Sequence, residues 1–172
     1  MEDLQHRRDE IWKAAWNTYY FTYFDEMLTD ALVRRWMRID DLAKIATSIT
    51  AAGSAIAGWT LWNQPNLKIV WAVLAGFGAV CAITHTALGV SYRLKDYTDH
   101  KNRLVRLRIE LETFRIKMAV NPEFPVEEFH ADLLRFRERW SNDSFKRNDV
   151  MATLKLRTKL RNELLDELKQ TP

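Results

Sequence analysis

Two stretches of the chain interrupt the mixture of apolar and charged positions found everywhere else. From Ile45 to Leu67, 23 consecutive positions, and from Ile69 to Tyr92, 24 more, there is no Asp, Glu, Lys or Arg. A hydrocarbon core of about 30 Å needs roughly 20 apolar residues of helix, so the pattern predicts two membrane-spanning helices, at about 45–62 and 69–92. The short polar connection 63–68 makes them an antiparallel hairpin with an outside loop. Trp59, Trp62 and Trp71 cluster at the loop end and Trp36 and Tyr92 at the other, the positions of interfacial aromatic belts. Arg34, Arg35, Arg38 and Lys44 precede the first span, and Arg93, Lys95, Lys101, Arg103, Arg106 and Arg108 follow the second, whereas the loop holds Lys68 alone. The positive-inside rule then places both termini in the cytoplasm.

Outside these spans the period is that of amphipathic helices. Trp12, Trp16, Tyr19, Tyr20, Tyr23 and Met27 form a broad aromatic stripe. Residues 1–33 carry three basic against seven acidic side chains, so anionic lipid would repel this helix and packing against protein is the better use of the stripe. Leu94, Tyr97, Leu104, Leu107, Leu111, Phe114 and Met118 recur at about 3.5 residues, which predicts a helical stalk ending near Asn121-Pro122. Val126–Trp140 and about Asp149–Lys169 are two further amphipathic helices. The expected fold class is thus an all-α membrane protein. Its parts are an N-terminal cytoplasmic amphipathic helix (1–44), a transmembrane helical hairpin (45–92), and a cytoplasmic stalk with C-terminal helices (93–172).

Composition narrows the chemistry. The five glycines all lie in the uncharged stretches, and the rest of the chain has none, which favours long uninterrupted helices there. The single Cys81 excludes a disulfide framework, and four scattered histidines offer no metal cluster. The first ten residues have no apolar core and do not read as a cleaved signal peptide. There is no nucleophile elbow, no Gly-rich phosphate loop and no His-Glu-x-x-His motif, so no enzyme, catalytic residue, metal or cofactor is expected. Residues 93–117 hold eight basic against four acidic side chains. Attraction to anionic lipid next to a membrane explains this excess, and a docking surface for a nucleotide or nucleic acid is the alternative.

The polar and small residues of the predicted spans are the most informative. Thr47, Thr50, Ser54 and Gly58 lie along one stripe, and Gly78, Cys81, Ala82, His85 and Gly89 along another. Such faces seek one another or copies of themselves, because small residues allow close approach and interhelical hydrogen bonds. Homo-oligomerisation follows, with Thr47, Thr50, Ser54, Gly58, Gly78, Ala82, His85 and Gly89 as candidates for the pore or helix interface. His85 is either a hydrogen-bonding partner for a neighbouring helix or a pore-lining, pH-sensing group.

The run Tyr19-Tyr20, then Arg34-Arg35-Trp36-Met37-Arg38-Ile39-Asp40-Asp41-Leu42, then Ile45-Ala46-Thr47-Ser48 and a second span leading into a charged helix resembles the SLATT family over roughly residues 15–120. Members are bacterial proteins with two transmembrane helices, found beside nucleotide second-messenger synthetases, reverse transcriptases and other conflict-system sensors. The resemblance implies a pore-forming effector of antiphage defence in the bacterial inner (cytoplasmic) membrane, which it perforates or depolarises to arrest growth or kill the infected cell. It would act with the lipid bilayer, with copies of itself, and with a sensor protein, nucleotide second messenger or nucleoprotein complex as trigger. The alternative is a membrane-anchored scaffold or regulator that binds a cytoplasmic partner through its helices without forming a pore.

Overall fold

The computed structural model describes residues 2–60, 65–121, 125–143 and 151–170, and within them the side chains of all but 2–3, 50–60, 65–68, 70, 71, 74 and 170. The described elements are helices: α1 (Glu2–Thr60), α2 (Pro65–Ala87), α3 (Val90–Val120), α4 (Val126–Asp143) and α5 (Leu154–Gln170). Their boundaries follow local chemistry. Pro65 occupies the first position of α2, where its missing N–H costs nothing. Between α2 and α3, Gly89 takes φ +57°, a conformation natural to glycine, and its carbonyl accepts the first backbone bond of α3 from Arg93 N at 2.9 Å. The Pro125 carbonyl accepts from Glu128 N and Phe129 N to open α4, whose first turn carries Glu127 and Glu128 at the positive end of the helix dipole. Thr153 caps α5, its Oγ1 accepting from Leu156 N. That cap moves the start of the last helix from the expected Asp149 to Leu154.

The chain divides into two compact units, Met1–Leu32 with Tyr97–Pro172, and Val33–Asp96. In the first unit, α3 buries Leu104, Leu107, Leu111, Phe114 and Met118 at alternating spacings of three and four, so one seam faces the bundle. Against it lie Ile11, Ala15 and Tyr19 of α1 and Val126, Phe129 and Leu133 of α4, while Leu160 of α5 packs with Leu28, Ala31 and Leu32 of α1. The inner face of α1 also buries Thr18, Thr22 and Thr29, and each hydroxyl donates to the carbonyl four residues earlier at 2.7–2.8 Å. That back-bonding lets a polar residue occupy a core position without an unmet donor. The aromatic stripe of α1 is used for protein packing: Trp16 stacks on Tyr19 at 5.6 Å, and Tyr19 is buried.

The second unit is formed by the C-terminal part of α1, α2 and the start of α3. It buries Val33, Trp36, Asp40, Gly78 and Val90. Trp36 is packed beneath the Arg93 guanidinium, 5.3 Å from the ring centroid, rather than standing in an interfacial belt. The side chains of Trp59 and Trp71, and Trp62 altogether, lie outside what the structure describes.

The expected two-transmembrane hairpin is overturned: among the described residues no helix is long and apolar enough to cross a membrane. The reason lies in where the helices begin and end. The uncharged stretch 45–62 does not start a helix of its own. Its first sixteen positions continue α1 directly from the charged segment Arg34–Lys44. The stretch 69–92 is likewise not one helix, because α2 begins four residues earlier in the polar turn Pro65–Lys68 and stops at Ala87, leaving Val90–Tyr92 to α3. The side of α2 at His85 also faces a carboxylate. The placement in the bacterial inner membrane with both termini cytoplasmic, which rested on those two spans, is corrected with them.

Candidate functional site

Within the second unit, α1 and α2 carry a polar cluster beside an apolar groove. Asp40 is buried on α1 four residues before Lys44, a spacing that puts both on one face. One carboxylate oxygen accepts from Lys44 Nζ at 2.5 Å and the other meets His85 Nε2 of α2 at 2.8 Å. The Lys44 ammonium, and after it the bond to His85, hold the Asp40 carboxyl below the usual carboxylate range against the opposing effect of burial. The lysine is in turn raised by the same partner. The cluster pins α2 to α1 at one height.

Beside it runs a groove of about 620 Å³ whose walls are Ile39, Leu42, Ile45 and Ile49 of α1 and Phe77 and Val80 of α2, with Cys81, Thr84 and His85 at its floor and end. Leu42, Ile45 and Ile49 follow one helical stripe, and Ile69, Val73, Phe77, Val80 and Ile83 follow another. All eight side chains are more than half exposed.

The predicted interface residues are distributed as follows. His85 belongs to the Asp40 cluster. Thr47 spends its hydroxyl on its own helix, donating to the Ala43 and Lys44 carbonyls. Gly78 is buried and Ala82 half-buried on α2, while Gly89 forms the turn after it. Thr50, Ser54 and Gly58 lie on α1, where the surroundings of their side-chain positions are not described.

The basic row of α3 is largely spent on the fold. Lys101 pairs with Asp30 at 2.5 Å, Arg103 with Asp143 at 2.9 Å and Arg108 with Glu26 at 2.6 Å. Arg93 donates to the Leu88 carbonyl at 3.0 Å and closes the end of α2. Lys95 and Arg106 stand exposed.

A second constellation was not singled out in the sequence. In the first unit, the Arg115 guanidinium carbon sits 3.8 Å from the Trp16 ring centroid, 4.9 Å from Tyr19 and 5.4 Å from Trp12. Next to it Arg108 lies over the Tyr23 ring at 4.8 Å, and the Tyr23 hydroxyl donates to Glu167 at 2.6 Å. Burial pushes the Arg115 guanidinium below the ordinary arginine value. Burial, and then the bond to Glu167, push the Tyr23 hydroxyl well above the usual tyrosine range. The aromatic half of this arrangement was visible as the stripe Trp12, Trp16, Tyr19 and Tyr23. Nothing in the sequence distinguished Arg115 from the seven other cations of residues 93–117. Asp40 was equally silent, because its partner His85 is 45 positions away.

Among the described residues no group of His, Cys, Asp or Glu is arranged to hold a metal ion. Comparison with models of known families, with curated proteins and with solved structures finds no match to this chain.

Proposed function

We propose that the chain is a helical assembly protein that self-associates through the apolar face of its second unit and serves as a scaffold or regulator for a further partner. One observation carries this reading: five large apolar side chains from two adjacent helices, Leu42, Ile45 and Ile49 of α1 and Phe77 and Val80 of α2, line a single groove while each is more than half exposed. Contiguous apolar surface of this kind marks an interaction site, since leaving it in water forgoes the free energy of its burial. A second copy is the occupant this surface fits. It is present at the same concentration, carries the same apolar stripes, and meets them in a self-complementary two-fold contact. The resemblance to the SLATT family supplies the setting of the proposal, an effector of antiphage defence whose assembly a sensor controls. Perforation of a membrane rested on the two expected spans and forms no part of it.

Light scattering after size exclusion, in buffer without detergent and over a range of concentrations, tests the reading. The wild-type chain is expected to elute as a dimer or larger assembly, and the double variant Phe77→Glu, Val80→Glu as a monomer of unchanged helicity. A wild-type monomer at every concentration would refute self-association. So would flotation of the chain with lipid vesicles that the same two substitutions abolish, because that outcome gives the face to lipid.

A further inference from the structure

We infer that the cavity between α1, α3 and α5 in the first unit is a binding site for a small anionic ligand carrying a planar aromatic ring. Its carboxylate or phosphate would be held by Arg115 and its ring by the neighbouring indoles. The cavity encloses about 400 Å³, within the range of small-molecule sites. Trp12, Trp16 and Tyr19 form one wall from α1, and Arg108 and Arg115 project from α3.

The charge bookkeeping singles out Arg115. The other cation of the cavity, Arg108, is committed to Glu26 at 2.6 Å and has Glu112 at 3.9 Å. Of the two carboxylates bordering the space, Glu112 lies beside Arg108 and acts on Arg115 through its charge without an ion pair, and Glu167 accepts the Tyr23 hydroxyl at 2.6 Å. Arg115 has no ion pair and no hydrogen bond among the described residues, and its Nε is buried without an acceptor. A buried guanidinium donor without an acceptor costs free energy, and the surrounding π faces offset the charge while accepting none of its N–H bonds in the guanidinium plane. An anion lying in that plane would satisfy them, since the guanidinium fork matches carboxylate and phosphate alike. Burial disfavours the charged arginine, and the opposite charge of the ligand would offset that cost. The aromatic side chains select what carries the anion. Trp12, Trp16, Tyr19 and Tyr23 together line the cavity, and an aromatic lining of this kind would favour an anion carried on a flat ring, with a packing gain of its own.

Two acid–neutral pairs serve as probes: indole-3-acetate with indole for a carboxylate source, and adenosine 5′-monophosphate with adenosine for a phosphate source. Isothermal titration and ligand-induced stabilisation of the full chain are the readouts. At least one acid should bind and raise Tm, with its neutral counterpart weaker by about ten-fold or more, and the stronger acid tells carboxylate from phosphate. Arg115→Gln should weaken that acid by about ten- to a hundred-fold, the loss of charge-assisted hydrogen bonds. Arg115→Lys, which keeps the charge but not the fork, should fall between. Circular dichroism confirms that both variants fold. Equal binding of acid and neutral probe, undiminished binding to a folded Arg115→Gln chain, or no stabilisation by either acid at millimolar concentration would each overturn the proposal.

Discussion

His85 of α2 and Asp40 of α1 meet at 2.8 Å across 45 positions of sequence, and the same carboxylate binds Lys44 on its other oxygen. The contact converts a histidine that could have faced a pore into one side of an anchor between two helices. Because Asp40 is held below the usual carboxylate range, chiefly by Lys44 and then by His85, its contribution to stability is complete above about pH 4. It is lost as the pH falls further, when the folded state must take up the proton. Asp40→Asn should lower Tm at neutral pH and flatten the acid limb of a Tm–pH curve. An acid limb of unchanged slope in the variant would refute the anchor.

Tyr23 and Glu167 give the opposite sign. Burial and the bond to Glu167 raise the Tyr23 hydroxyl, so the neutral phenol is the form the fold prefers. Its contribution is intact below about pH 10, the ordinary tyrosine value, and declines as the pH rises beyond it. Tyr23→Phe should cost about 0.5–1.5 kcal/mol at neutral pH. The difference in Tm between wild type and variant should then shrink in alkaline buffer, while lysine titration affects both chains alike. Thermal melts on the two proteins from neutral to alkaline pH measure it.

Phe129 tests the packing of α4. Its ring is fully buried and meets Phe114 edge to face at 5.5 Å, and Phe136 also meets Phe114, at 5.4 Å. Phe129→Ala removes a fully buried ring from that cluster and leaves a cavity. The expected cost is about 3–5 kcal/mol in urea unfolding, with Phe129→Leu much milder.

Two glycines of the second unit should respond in opposite directions. Gly89 has open space around the position of an added Cβ but a left-handed φ, so Gly89→Ala should cost about 1 kcal/mol through the backbone alone. Gly76 lies inside α2 with equally open space and no unusual φ. There alanine should stabilise by up to about 1 kcal/mol, from helix propensity. Equal effects at both sites would contradict the turn. Chemical denaturation of the two single variants separates the cases.

By itself, the sequence determined the helices and their inner faces. The absence of glycine before Gly53 and between Arg93 and Asn121 is what allows α1 and α3 to run long. The three-and-four spacing of Leu104, Leu107, Leu111, Phe114 and Met118 already named the buried seam of α3. These are local properties, set by neighbours within a turn or two. Where an apolar run is to be buried is not local, and runs of uncharged residues read alone pointed to membrane spans. The tertiary structure cut those runs differently, carrying one into α1 and breaking the other after Ala87 at the turn made by Gly89, and faced His85 with a carboxylate. It also decided which cations are spent on ion pairs: Lys101, Arg103 and Arg108 find acids on other helices, while Arg115 finds three aromatic rings. The charge of a side chain is written in the sequence, but its partner is chosen by which helix the fold lays beside it.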